Sequence, residues 1–124
     1  MSPAVRAGLD YVLLSYYEGD CRGVRPSAAT WTAYFQQLHA LYPNALLGFG
    51  EIGLANPVAA KTLKSAESLV RHYYGLSIKL RYFAGGYFWW YSTEDGLPYA
   101  TGPLWGVLGN GLRAEATAWG QHPG

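Results

Sequence analysis

A chain of 124 residues with 50% apolar, 16% aromatic and only 14% charged residues has room for one domain, residues 1–124, that buries roughly two thirds of its unfolded surface. Charge is scarce against a usual share of about 25%, and the net charge of +1 has no basic cluster behind it, which excludes the electrostatic footprint of a nucleic-acid binder. The single cysteine, Cys21, excludes an internal disulfide and a cysteine-based zinc site, and no run of about 18 apolar residues marks a membrane span.

The opening MSPAVRAGLDYVLLSYYEGD lacks the basic, apolar and small-residue order of an export signal. As written the chain reads as soluble, with its compartment open. The first structured run is DYVLLSYY, residues 10–17, a continuous apolar, β-branched and aromatic stretch of strand length that ends in the polar cluster EGDCRG. It reads as a strand buried on both faces. After RPSAAT, where Ser27 or Thr30 can cap a helix, Trp31, Tyr34, Phe35, Leu38 and Leu41 recur at helical spacing and form one apolar face stopped by Pro43. Trp31, Tyr34 and Phe35 are read as core.

ALLGFG, starting at Ala45, is a second short buried run. Asn56 and Pro57 then supply a cap and a first-turn proline, and Leu63, Val70, Tyr73 and Tyr74 extend a helix that Gly75 can close. RYFAGGYFWWYS, from Arg81, is a third strand-like run in which Gly85 and Gly86 permit close packing or a bulge. TEDGLPYATGP follows as a loop, and LWGVL to RAEATAW forms a weaker last helix. The order is β-α-β-α-β-α with strand starts about 34 and 37 residues apart, the spacing of βαβ units with parallel strands.

Two architectures share this α/β pattern. One is a small doubly wound sheet, for which three strands are few and no glycine-rich phosphate fingerprint is present. The other is the last three units of a TIM (β/α)8 barrel, a fold of about 250 residues. In both, ligand sites are built at the carboxyl ends of the strands. Those ends hold Tyr16, Tyr17, Glu18 and Asp20, then Glu51, then Trp89, Trp90, Tyr91, Glu94 and Asp95. Carboxylates and large aromatics on one rim suit an oligo- or polysaccharide, because sugar rings stack on tryptophan and a glycosidic bond is cut by a pair of carboxyl groups.

LLSYYEGD, ALLGFGEIG and GGYFWWYSTED resemble, in order and spacing, strands six, seven and eight of retaining (β/α)8 glycoside hydrolases of the cellulase-like superfamily, clan A. The resemblance implies that Glu51 is the nucleophile, that Tyr17 or Tyr16 orients it, and that Trp89 or Trp90 floors the subsite of the cleaved sugar. Tyr91, Glu18, Asp20 and Asp95 are the further substrate-binding candidates. Neither a metal nor a cofactor is expected. The clan's acid/base glutamate follows an asparagine on strand four, and no Asn-Glu pair occurs here. Its place is upstream of Met1, so the chain by itself is expected to lack appreciable hydrolase activity.

Each candidate has a plainer reading. Glu51 also fits a buried carboxylate accepting loop N–H groups, and Glu18, Asp20, Glu94 and Asp95 fit solvated loop charges. Neighbouring strand residues point to opposite faces, so one member of each aromatic pair is structural. His39 and His72 fall inside helices and His122 in a tail. The alternative function is a non-catalytic carbohydrate-binding or assembly module; as a barrel fragment with open strand edges the chain is expected to self-associate.

Overall fold

The computed structural model describes residues 1–53, 63–86 and 101–120. Along the chain these form helix α1 (Pro3–Ala7), strand β1 (Tyr11–Tyr16), helix α2 (Ala28–Leu41), strand β2 (Leu46–Ile52), helix α3 (Leu63–Tyr74) and helix α4 (Pro103–Gly120). The mixed α/β order matches the sequence pattern, with α1 added. That short turn is started by Ser2, whose side chain accepts from the Val5 N–H, and by Pro3 in the first position, and it ends at Gly8. Ser27 rather than Thr30 caps α2, its hydroxyl accepting from the Thr30 N–H at 3.2 Å.

β1 and β2 pair in parallel, Tyr11 opposite Leu46 and Leu14 opposite Phe49. On the far side of β2 the third expected strand contributes a parallel bridge from Phe83 to Leu47. Leu47 donates to the Tyr82 carbonyl and accepts from Ala84, both at 2.7 Å, and Phe49 donates to the Gly85 carbonyl at 2.8 Å. β2 is therefore central. A longer regular strand was expected here, but Gly85 and Gly86 take φ values of 77° and 93°, outside the β region, and residues 87–92 of that expectation lie outside the described residues. The glycines let backbones meet: a Cβ on Gly48 would run into the Gly85 carbonyl oxygen, and one on Gly86 into that of Phe49.

The core lies on one face of this sheet. Leu47, Phe49 and Ile52 are fully buried there, with Trp31 and Phe35 from α2, Ala66, Leu69, Val70 and Tyr73 from α3, and Leu104 and Leu108 from α4. Phe49 sits at the centre, edge-on to Trp31 at 4.8 Å and to Phe35 at 5.3 Å, with Tyr73 at 6.1 Å. Edge-to-face pairs of this kind contribute about 0.5–1.5 kcal/mol each beyond area burial. α2 and α3 thus reach the same central ring, and both cover the same face of the sheet.

Two expectations about burial are corrected. β1 alternates between exposed and half-buried residues, with Tyr11 60% and Leu13 50% exposed, because the described helices pack on the Val12, Leu14 and Tyr16 side. The apolar face of α2 is also narrower than its periodicity suggested. Trp31 and Phe35, one turn apart, insert into the core, whereas Tyr34 and Leu41 remain 45% and 52% exposed. Tyr34 packs its ring edge-on to Trp31 at the margin, 5.6 Å away.

Candidate active site

Strict alternation along β2 would put Glu51 on the same side as Leu47 and Phe49, in the helix-packed core. The register prevents this. Phe49 faces Leu14 and Glu51 faces Ser15, so Gly50 and Glu51 together oppose a single residue of β1. This is a β-bulge, one extra residue that turns the following side chains over. Ile52 takes the core position, 0% exposed, and Glu51 goes to the face opposite the described helices, with Ser15 and Tyr17. Glycine suits the extra position because a Cβ on residue 50 would lie 3.1 Å from the Leu13 Cβ.

On that face the Tyr17 hydroxyl donates to Glu51 Oε2 at 2.7 Å. The bond is short, as expected where a hydroxyl donates to a carboxylate. It joins the carboxyl ends of two adjacent parallel strands, 34 residues apart in sequence. Both side chains are half-buried, so the carboxylate is oriented by a donor while keeping access to solvent. A fixed, accessible carboxylate oxygen can act as a nucleophile, as a base or as a hydrogen-bond acceptor for a ligand hydroxyl.

Tyr16, the other candidate for orienting Glu51, points the opposite way. Its ring lies edge-on to Trp31 at 5.0 Å and 6.1 Å from Tyr73, and its hydroxyl donates to the Val24 carbonyl at 2.8 Å. Burial, then the Cys21 thiol as hydrogen-bond partner, pushes its phenol up to about 12. These contacts hold it in the helix-side packing.

Glu18 is likewise turned from the rim. The guanidinium of Arg25 grips it with a fork, Nε to Oε1 at 2.5 Å and Nη2 to Oε2 at 3.1 Å. Tyr73 Oη also donates to Oε1 at 3.1 Å. Its side chain is only 12% exposed, and these bonds tie it to the loop and to α3. The same arginine reaches α3 through Ser68, Nη1 to Oγ at 2.7 Å. Hydrogen bonding to Glu18 holds the Arg25 guanidinium above its usual pKa, and burial followed by Glu18 does the same for the Tyr73 phenol.

Asp20 is exposed in the turn after β1, its N–H donating to the Tyr17 carbonyl. Trp89, Trp90, Tyr91, Glu94 and Asp95 lie outside the described residues. Among the described residues no cluster of three or more His, Cys, Asp or Glu is placed to hold a metal ion, and no helix is long and apolar enough to cross a membrane. His39 stacks flat on Tyr82, with ring centroids 3.7 Å apart, and His72 Nε2 lies 2.8 Å from the Pro26 carbonyl.

Arg25, Ser68 and the Tyr73 hydroxyl were not singled out from the sequence. In sequence Tyr73 reads as an apolar helix residue, and nothing local links GVRPS to a helix more than forty residues later. A lone arginine two residues after the only Arg-Gly pair of that loop carries little signal, although Arg22 and Gly23 do adopt left-handed φ values of 58° and 71°. No family model, curated protein or solved structure matches the chain.

Proposed function

We propose that this chain supplies the nucleophile side of a retaining glycoside hydrolase site, as the last three units of a (β/α)8 barrel, with Glu51 as nucleophile and Tyr17 as the residue that orients it. The observation that carries this reading is the 2.7 Å hydrogen bond from Tyr17 to Glu51 at the carboxyl ends of adjacent parallel strands, on the face turned away from the helices. Among the described residues the helices lie on one face of the parallel sheet, which suits a barrel, whose inner face is lined by strand residues alone, better than a doubly wound sheet with helices on both faces.

In the reaction so assigned, a Glu51 oxygen attacks the anomeric carbon and forms a glycosyl ester. The bond to the leaving oxygen breaks with its electron pair, and a second carboxyl group protonates that oxygen. Water, deprotonated by the same group, then attacks the anomeric carbon and releases Glu51. Tyr17 holds the carboxylate in line and leaves its other oxygen for attack. The acid/base is assigned to residues outside this sequence, about 5–5.5 Å from Glu51 in the complete site. The substrate is an oligo- or polysaccharide.

The test uses dinitrophenyl 2-deoxy-2-fluoro-glycosides of several sugar types on the protein as the cell makes it. The leaving phenolate departs without protonation, so trapping reports the nucleophile independently of the acid. Peptide mass spectrometry should find the sugar ester on Glu51, and Glu51→Gln should abolish it. An ester on another carboxylate would overturn the assignment. Sugar binding without any ester would favour the non-catalytic module.

A further inference from the structure

We infer that Arg25 is a positioning residue for the Tyr17–Glu51 pair, acting through the loop that connects β1 to α2. Tyr17 stands one residue beyond the last paired residue of β1, where the sheet ladder no longer sets the direction of side chains. Its orientation is set by its neighbours. Tyr16 is wedged against Trp31 and tied to the Val24 carbonyl, and Glu18 is gripped by Arg25 and Tyr73. With both neighbours tied on the helix side, Tyr17 is left to the other face, where it meets Glu51.

The ties share one anchor. Tyr73 to Glu18, Ser68 to Arg25 and His72 to the Pro26 carbonyl all run from α3 to the 17–26 loop. α3 is the next described helix after β2, the strand that carries Glu51, and its Tyr73 ring packs on Phe49 of that strand. α3 thus holds the donor's loop and the acceptor's strand together. Arg25 is the hub, since one guanidinium binds Glu18 through two nitrogens and Ser68 through the third. This fork geometry is one that lysine does not reproduce. Its bearing on catalysis rests on the reading of Glu51 as the nucleophile; its bearing on the hydrogen bond does not.

The experiment therefore has two arms. In the first, the carboxyl carbons of the five glutamates are labelled with carbon-13, and the Glu51 resonance is assigned with Glu51→Gln. Tyr17→Phe should move that resonance by removing the donor. Arg25→Met should move it in the same direction by at least half as much, and the double variant should go no further than Tyr17→Phe. Among the described residues Arg71 pairs with Glu67 on α3, away from the 17–26 loop, and Arg71→Met should leave the resonance in place.

In the second arm the rate of ester formation on Glu51 should fall about tenfold or more in both Tyr17→Phe and Arg25→Met, the scale of a lost hydrogen bond to a charged group, and no further in the double variant. If Arg25→Met does not fold, Arg25→Lys and Ser68→Ala replace it, each with a partial shift of the resonance expected. An unmoved Glu51 resonance in folded Arg25 variants, or effects of Arg25 and Tyr17 that simply add, would overturn the inference. Absence of any ester in the unmodified protein would overturn the hydrolase reading, while the resonance still decides the role of Arg25.

Discussion

Tyr16 and Tyr17 are consecutive residues whose hydroxyls serve opposite faces of one sheet: Tyr16 donates to the Val24 carbonyl at 2.8 Å on the helix side, and Tyr17 donates to Glu51 at 2.7 Å on the other. Removing each hydroxyl should therefore have a different effect. Tyr16→Phe should lower stability by about 0.5–1.5 kcal/mol, the usual net value of one hydrogen bond, and slow ester formation on Glu51 less than Tyr17→Phe does, because the Tyr16 ring stays wedged against Trp31. Tyr17→Phe should slow ester formation about tenfold or more, since it removes the donor itself. Urea melts and labelling rates measured side by side check this, and equal stability losses with equal labelling losses would contradict the assignment of faces.

The glycines of β2 differ in what surrounds them. A methyl group on Gly48 meets the backbone oxygen of Gly85 and approaches Leu13 Cδ2 within 3.3 Å, whereas one on Gly50 meets the Leu13 Cβ at 3.1 Å. The Leu13 Cβ need give by only a few tenths of an ångström, whereas the paired backbone oxygen of Gly85, which the Gly48 methyl position overlaps, would have to move much further. Gly48→Ala should cost about 2 kcal/mol or more, and Gly50→Ala about 1 kcal/mol or less. Denaturant midpoints would show the order, and a milder Gly48→Ala would refute the close approach of β2 and residues 82–86.

Alkaline pH should unfold the protein in a characteristic way. Burial pushes Tyr16 up to about 12 and raises Tyr73 and Tyr74 further above the ordinary tyrosine range. In the unfolded chain these groups ionise near a pKa of about 10. A raised folded pKa means that their contribution to stability is complete below about pH 10 and is lost as pH climbs through the folded values. Tyrosinate absorbance followed together with circular dichroism should show exposed tyrosines ionising first, with a late group appearing only as the fold is lost. A single ionisation wave over an intact fold would contradict this.

Glu115, on α4, is pushed up by burial. Folding therefore disfavours its charged form, and the stability associated with its neutral form is lost as pH rises through its raised pKa. Glu115→Gln should melt higher than the parent at pH 7, and the gap should close as pH falls below the ordinary glutamate value of about 4.3. Thermal melts across that range would test it, and a variant less stable at pH 7 would point to a favourable contact of the carboxylate.

The sheet face opposite the described helices makes the chain prone to association. Tyr11 and Leu13 are exposed there, and among the described residues β1 pairs with β2 alone, so one strand edge offers its N–H and C=O groups to a partner. Sedimentation velocity should find dimers or larger species, and Leu13→Lys should shift them toward monomer with unchanged circular dichroism. A monodisperse wild-type monomer would argue against the barrel-fragment reading.

The sequence by itself determined the order of elements, because strand-length apolar runs, a serine cap before Trp31 and the 3.6-residue spacing of Trp31 and Phe35 are local signals. It also pointed to a division of Tyr16 and Tyr17 between two faces, since alternation is a property of the strand backbone, although Tyr17 lies one residue beyond the paired strand and takes its direction from the loop. Only the tertiary structure decided which of the two meets Glu51. That choice depends on a bulge at Gly50, which reverses the alternation after Phe49 and is set by pairing with a strand more than thirty residues away. It likewise decided that Glu18 belongs to Arg25 and Tyr73 rather than to the rim. A carboxylate's partners are chosen by distance in space, and the separation of 55 residues between Glu18 and Tyr73 leaves no periodic trace in the chain.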